Sequence, residues 1–291
     1  MKLATFRSHG GAAAIGVVDG DEIVPLAADP ELPTAMAEFV ALGDAGLARA
    51  RALIGSAPRI PLTDVAIAAP IRPRNNVMCV GKNYYEHAAE FAGSGFDASQ
   101  KQVIPDEPVI FTKALSSLAD PGDPVTVSED PTESSDYEGE LGVVIGAGGR
   151  HIREAEAFDH VYGYTIVNDL TVRDLQKRHV QFFIGKSAHT YCPMGPYLVT
   201  ADDIDDVGAL RLQTRVNGEL RQDAVVKDLI FDIPRLISAI STAVALEPGD
   251  VIATGTPAGV GIGFTPPRFL RPGDLMEVSI DGLGTLTNRA V

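Results

Sequence analysis

The chain is 291 residues long with 45% hydrophobic and 22% charged content, a globular composition that excludes wholesale disorder. No apolar run reaches the about 18 residues that a membrane helix needs, and the basic N-terminus MKLATFRSHGG has no apolar core, so neither a span nor a secretory signal is read. A net charge of −15 disfavours nucleic acid and anionic membrane as partners, and two cysteines, Cys79 and Cys192, exclude a disulfide scaffold and point to a reducing, cytoplasmic compartment.

Residues 1–70 read as a small α+β unit. Ala14–Val18 and Glu22–Leu26 flank Asp19-Gly20-Asp21, a hairpin signal. Residues 34–54 carry Met36, Phe39, Val40, Leu47 and Leu53 at helical spacing, which predicts a helix. Pro58, Pro61, Pro70 and Pro73 punctuate the chain, and the boundary with a larger unit, 71–291, falls near residue 70. That unit is strand-rich. Pro-Gly-Asp recurs at 121–123, 248–250 and 272–274, each time before a strand-like run, so the three copies read as strand-entry turns. Helices are predicted from about Thr171 to His179 and after Asp232, where Ile233, Leu236, Ile237, Ile240 and Val244 recur at helical spacing. Phe91–Pro105, with Gly93 and Gly95, reads as a mobile surface loop. Many strands and few helices suggest a mixed β-roll or barrel rather than alternating βαβ units.

Five segments could carry chemistry. In SDYEGELGVVI (135–145), a strand through the whole run would put Glu138 and Glu140 on one face, either neutralised by a cation or solvated at a sheet edge. Asp169 ends the apolar run 162–168 ahead of a helix, as an N-cap or as a third metal ligand. An all-oxygen set of this kind favours Mg²⁺, Mn²⁺ or Ca²⁺ over Zn²⁺. His87 and Glu90 are neighbours on a helical turn, as a polar face or as a general-base pair. Lys186, in FFIGKSAH (182–189), is a buried cation or a lysine snorkelling at a strand end; the segment lacks the first glycine of a P-loop. The glycines of ATGTPAGVGIG (253–263) make a ligand-approaching loop or a simple turn, without a dinucleotide fingerprint.

These segments, together with PVIFTKALSSL (108–118), VNDLTVRDLQ (167–176), VNGELRQD (216–223) and EPGDVIATGTPAGVG (247–261), resemble the fumarylacetoacetate hydrolase family over roughly residues 71–291. The resemblance implies an α+β protein with a mixed β-roll catalytic domain, assembled as a homodimer. It implies Glu138, Glu140 and Asp169 as Mg²⁺ ligands, His87 and Glu90 as a water-activating dyad, Lys186 as a catalytic cation that stabilises the enolate, and Lys186, Thr256, Tyr84 and Gln176 around a small dicarbonyl acid. The expected activity is hydrolysis of a C–C bond in an acylpyruvate or related 2,4-diketo acid, with oxaloacetate-type decarboxylation or 2-hydroxymuconate-type isomerisation as the alternative on the same scaffold. The sequence departs from many relatives at His189, where they carry Asp.

Overall fold

The computed structural model describes residues 1–8, 11–96 and 102–291. Its frame is a large mixed sheet and a second, five-stranded sheet. The large sheet runs, in spatial order, through Ile60–Pro61, Glu22–Pro25, Ala13–Asp19, Lys2–Ser8, Cys192–Thr200, Val161–Asn168, Gly139–Ile145, Val251–Ala253, Val77–Gly81 and Val109–Lys113. The second sheet orders Glu219–Val225, Arg211–Val216, Leu275–Ile280, Gly284–Ala290 and Pro124–Val125.

The alternation along Gly139–Ile145 explains how the sheets meet. Leu141, Val143 and Ile145 project to one face and pack with Leu212, Val278 and Leu286 of the second sheet and with Leu236 and Ile240 of the helix Ile233–Ala243. Val144 projects to the other face, into a core shared with Leu3, Val17, Leu26 and Phe39. A strand whose two faces are both covered must be apolar on both, and every residue of this one is buried. Glu140 is the exception in chemistry, not in burial.

The first 70 residues extend the large sheet. Strand Lys2–Ser8 pairs with Cys192–Thr200 through Lys2 opposite Val199 and Leu3 opposite Leu198. Asp120, 7% exposed, fastens the same seam by accepting from the Ala69 N–H and from Arg7 and Arg72. The hairpin forms with Asp19 opposite Glu22 and Gly20 at φ 63°. All three Pro-Gly-Asp segments lead into strands, with Gly122, Gly249 and Gly273 at positive φ.

Some boundaries differ from the sequence pattern. The expected helix over 34–54 is two, Met36–Val40 and Gly43–Leu53, because Gly43 adopts φ 53° and interrupts the hydrogen-bond ladder. Thr171–Val172 forms a short ladder with Ser135–Asp136, so the following helix starts at Arg173. Asp232 caps the helix Ile233–Ala243 by accepting from the Arg235 N–H, and Val244 lies beyond its end, 44% exposed. Of Phe91–Pro105, the first three residues finish the helix Tyr85–Gly93, and 97–101 lie outside the described residues. Among the described residues, no helix is long and apolar enough to cross a membrane. Both cysteines are buried and unpaired.

Candidate metal centre

The antiparallel register between Gly139–Ile145 and Val161–Asn168 builds the site. Gly139 faces Asn168, so the residues just outside the ladder, Glu138 and Asp169, come together. The Asp169 N–H donates to the Glu138 carbonyl at 2.8 Å, and the Asn168 side-chain oxygen accepts from the Glu138 N–H at 3.0 Å. Glu140 follows two residues later. One carboxylate oxygen from each of Glu138, Glu140 and Asp169 lies within 4.8 Å of the others, and all three residues are buried. The solvated sheet edge therefore does not apply: this strand is central, with Val161–Asn168 on one side and Val251–Ala253 on the other. Nor does one continuous strand run from 135 to 145; it breaks at Tyr137 and Glu138. Asp169 caps no helix, since Thr171–Val172 intervenes before Arg173.

Three buried cations surround the cluster. Lys186 Nζ is 2.6 Å from Glu138 Oε2 and 2.8 Å from Asp169 Oδ2. Lys113 Nζ is 2.6 Å from Asp169 Oδ1 and also donates to the Leu170 carbonyl. Arg173 reaches Glu138 Oε1 at 2.7 Å and Asp136 Oδ2 at 2.8 Å. Lys186 sits on the short helix Phe183–Lys186, not at a strand end, and is 2% exposed, so it does not snorkel. Burial works against its ammonium, but Asp169 and Glu138 outweigh that and hold its pKa above the ordinary lysine value. Burial likewise works against the Glu138 carboxylate, yet Lys186 and Arg173 bring its pKa down to about 2. Glu140 goes the other way. Burial, then Asp169 and Glu138, push it well above the carboxylate range. Its Oε2 accepts from the Gly255 N–H at 2.9 Å, and no cation pairs with it among the described residues.

The charge balance tests whether a divalent ion fits. Asp136, Glu138 and Asp169 are ion-paired with Lys113, Arg173 and Lys186, all at most 4% exposed, and Glu140 is the carboxyl of the group that shares none of these pairs. A dication among the three clustered oxygens would supply the positive partner that Glu140 lacks and favour its ionised form. Oxygen donors in this number suit a hard cation such as Mg²⁺, Mn²⁺ or Ca²⁺.

A narrow recess, with about 20 Å³ of free space, opens onto this cluster, lined among others by His87, Glu138, Arg173, Gln176, Lys186 and Thr256. His87 Nδ1 lies 3.1 Å from Glu90 Oε2 on the helix Tyr85–Gly93, and His87 is 5% exposed. Thr256 donates to the Gly139 carbonyl and accepts from Gln222. Gln176 accepts from Arg173 at 3.2 Å. Tyr84 does not line this recess; it faces a neighbouring one beside Lys227, Asp228 and Pro257. His189 is exposed, and Lys186 takes its ion pairs from Glu138 and Asp169 instead.

Sequence reasoning passed over Asp136, Lys113 and Arg173. The signal was present: three carboxylates and one lysine cannot be buried together without further cations, and Lys113 is the lone charge in the run Val109–Lys113.

Residues 76–291 match the family described as fumarylacetoacetate (FAA) hydrolase, C-terminal, and residues 1–48 match an Rv2993c-like N-terminal family. The chain is 46% identical to the oxaloacetate tautomerase YisK of Bacillus subtilis, over 99% of each chain. A fumarylacetoacetate hydrolase structure from Exiguobacterium antarcticum is similar at 42% identity and a TM-score of 0.83, covering 100% of this chain and 99% of that one. A maleylpyruvate hydrolase from Sphingobium, solved with manganese(II) and pyruvate, is similar at 31% identity and a TM-score of 0.83, with the same coverage. The chain belongs to the fumarylacetoacetate hydrolase family.

Proposed function

We propose that the protein is a divalent-metal enzyme acting on 2-oxo acids through their enol form, and that its reaction is keto–enol tautomerisation of a four-carbon 2-oxo diacid of the oxaloacetate type. The observation that carries this reading is that two devices reach one recess, the Glu138–Glu140–Asp169 cluster through Glu138 and the His87–Glu90 pair through His87. Likeness to an oxaloacetate tautomerase over nearly the whole of both chains supports the substrate class.

A divalent cation held by the three carboxylates, Mg²⁺ by expectation, would chelate the 2-oxo carboxylate and acidify the neighbouring carbon-bound proton. The residues of the chain do the rest. A carboxylate only accepts, so Glu90 fixes the proton on His87 Nδ1 and leaves the Nε2 lone pair free. Nε2 takes the proton from C3 and returns it to the 2-oxo oxygen; the reverse order turns enol into keto acid. Lys186, kept protonated by Glu138 and Asp169, faces the negative charge that develops on that oxygen. Arg173, whose buried Nη2 has no hydrogen-bond partner among the described residues, and the Gln176 side-chain amide hold the carboxylates, with Thr256 lining the recess beside them. Proton transfer of this kind contributes about 10²–10⁴-fold.

Hydrolysis of an acylpyruvate stands second. It is favoured by the same His87–Glu90 pair, which can deprotonate water, and by likeness to the maleylpyruvate hydrolase. The test follows the ultraviolet absorbance of enol-oxaloacetate with Mg²⁺ and with EDTA, beside pyruvate release from an acylpyruvate panel. Metal-dependent, His87-dependent enol decay without pyruvate supports tautomerisation; pyruvate release from acylpyruvates that far outpaces it would establish hydrolysis instead. A homodimer is the proposed assembly.

A further inference from the structure

The loop Gly255–Gly263 holds three carboxylates by its backbone. The Gly255 N–H donates to Glu140, the Gly259 N–H to Glu90 Oε1 at 3.0 Å, and the Gly261 and Ile262 N–H groups to Asp136 at 2.6 and 3.1 Å. One position in it has a different task. Gly263 ends a 3-10 turn with φ outside the left-handed region, so its backbone admits any residue. Yet a Cβ placed there would lie 1.7 Å from Glu90 Oε1, 2.3 Å from its Cδ and 2.7 Å from its Cγ, and these are its three nearest neighbours.

We propose that Gly263 is a positioning residue for the His87–Glu90 pair: its missing side chain is the space in which the Glu90 carboxylate stands to orient His87. This rests on the role given to that pair in the proposed reaction. Any side chain at 263 forces Glu90 to swing away. That breaks its bond from the Gly259 N–H and its contact with His87 Nδ1 together, while the Glu138–Glu140–Asp169 cluster keeps its own partners. The imidazole then loses the partner that selects its tautomer.

The experiment compares Gly263→Ala, Glu90→Ala and the double variant, in full-length protein with Mg²⁺. Gly263→Ala lowers kcat by about 10²-fold, the usual scale for a misplaced catalytic group, and leaves KM nearly unchanged. In the Glu90→Ala background the same substitution adds no further loss, because nothing remains to be displaced. Near-normal kcat in Gly263→Ala, or an equal loss with and without Glu90, overturns the proposal. A readout independent of turnover is the ¹⁵N spectrum of the His87 ring, assigned with His87→Asn. The wild type shows protonated Nδ1, and Gly263→Ala and Glu90→Ala shift it alike; an unshifted Gly263→Ala spectrum contradicts the assignment. If no 2-oxo acid is turned over, the proposed reaction fails, while the spectrum still decides the role of Gly263.

Discussion

Replacing Glu140 by Gln should make the metal-free protein more stable and the metal-loaded protein less so. Glu140 has an oxygen within 4.8 Å of an oxygen of Glu138 and one of Asp169. At that distance and an effective dielectric of about 20, an ionised Glu140 would be repelled by each neighbour by about 3 kcal/mol, so the metal-free fold is penalised either by that repulsion or by the proton Glu140 takes up to avoid it. Lys186 attracts Glu140 but offsets only part of this, since burial, Asp169 and Glu138 dominate and raise the Glu140 pKa. Gln keeps the shape and the acceptor for the Gly255 N–H. Its amide also donates toward the remaining carboxylates. The net gain without metal is roughly 1–3 kcal/mol after these offsets, or several degrees in melting temperature. With Mn²⁺ at about 100 times its dissociation constant, the wild type gains about 2.7 kcal/mol by linkage, and the variant gains little of it. Differential scanning calorimetry with EDTA and with Mn²⁺ should therefore reverse the order of the two proteins. A variant that melts below wild type in EDTA, or that keeps the full Mn²⁺ shift, would refute the reasoning that burying Glu140 among Glu138 and Asp169 carries a cost that a cation removes.

Three further outcomes follow from the geometry. Asp120 has its pKa lowered: burial raises it, but the Ala69 N–H and Arg7 more than compensate. A depressed carboxylate stabilises above its unfolded pKa and loses that contribution as pH falls through the folded one. Asp120→Asn should therefore cost about 1–2 kcal/mol at pH 7, with the gap to wild type closing below about pH 4 in urea titrations. Asn83, fully buried, donates to the Thr254 and Phe231 carbonyls and accepts from the Phe231 N–H, so Asn83→Ala should lower stability by about 2–4 kcal/mol in the same assay. A Cβ on Gly185 would stand 2.5 Å from the Gln176 backbone nitrogen; Gly185→Ala should separate Phe183–Lys186 from Arg173–His179, costing about 1–3 kcal/mol by thermal melt and most of the activity.

Local signals were legible where one residue type decides the geometry. The Pro-Gly-Asp turns, the hairpin at Gly20 and the helix capped by Asp232 follow from short-range chemistry, and the structure has all of them. The pairing of Glu138 with Asp169 was not local. It depends on which strand lies beside Gly139–Ile145 and in what register, and periodicity cannot state either. The same limit hid Lys113 and Arg173, whose partners are 56 and 35 or more positions away in the sequence. Tyr84 shows the reverse case: it adjoins the His87 segment in sequence, yet its strand-like conformation turns it into the neighbouring recess. The continuity of the first 70 residues with the main sheet, through Lys2–Ser8 and Cys192–Thr200, was equally invisible to a reading that used prolines as boundaries.

The central claim is that three carboxylates close on one dication in front of His87, and anomalous diffraction from a crystal soaked with Mn²⁺ and oxalate, a mimic of the pyruvate enolate, tests it most directly. The account predicts a single manganese peak bounded by Glu138, Glu140 and Asp169, with oxalate reaching from it into the recess beside His87 and Lys186. A peak elsewhere, or none at those three side chains in protein that turns over its substrate, would contradict it.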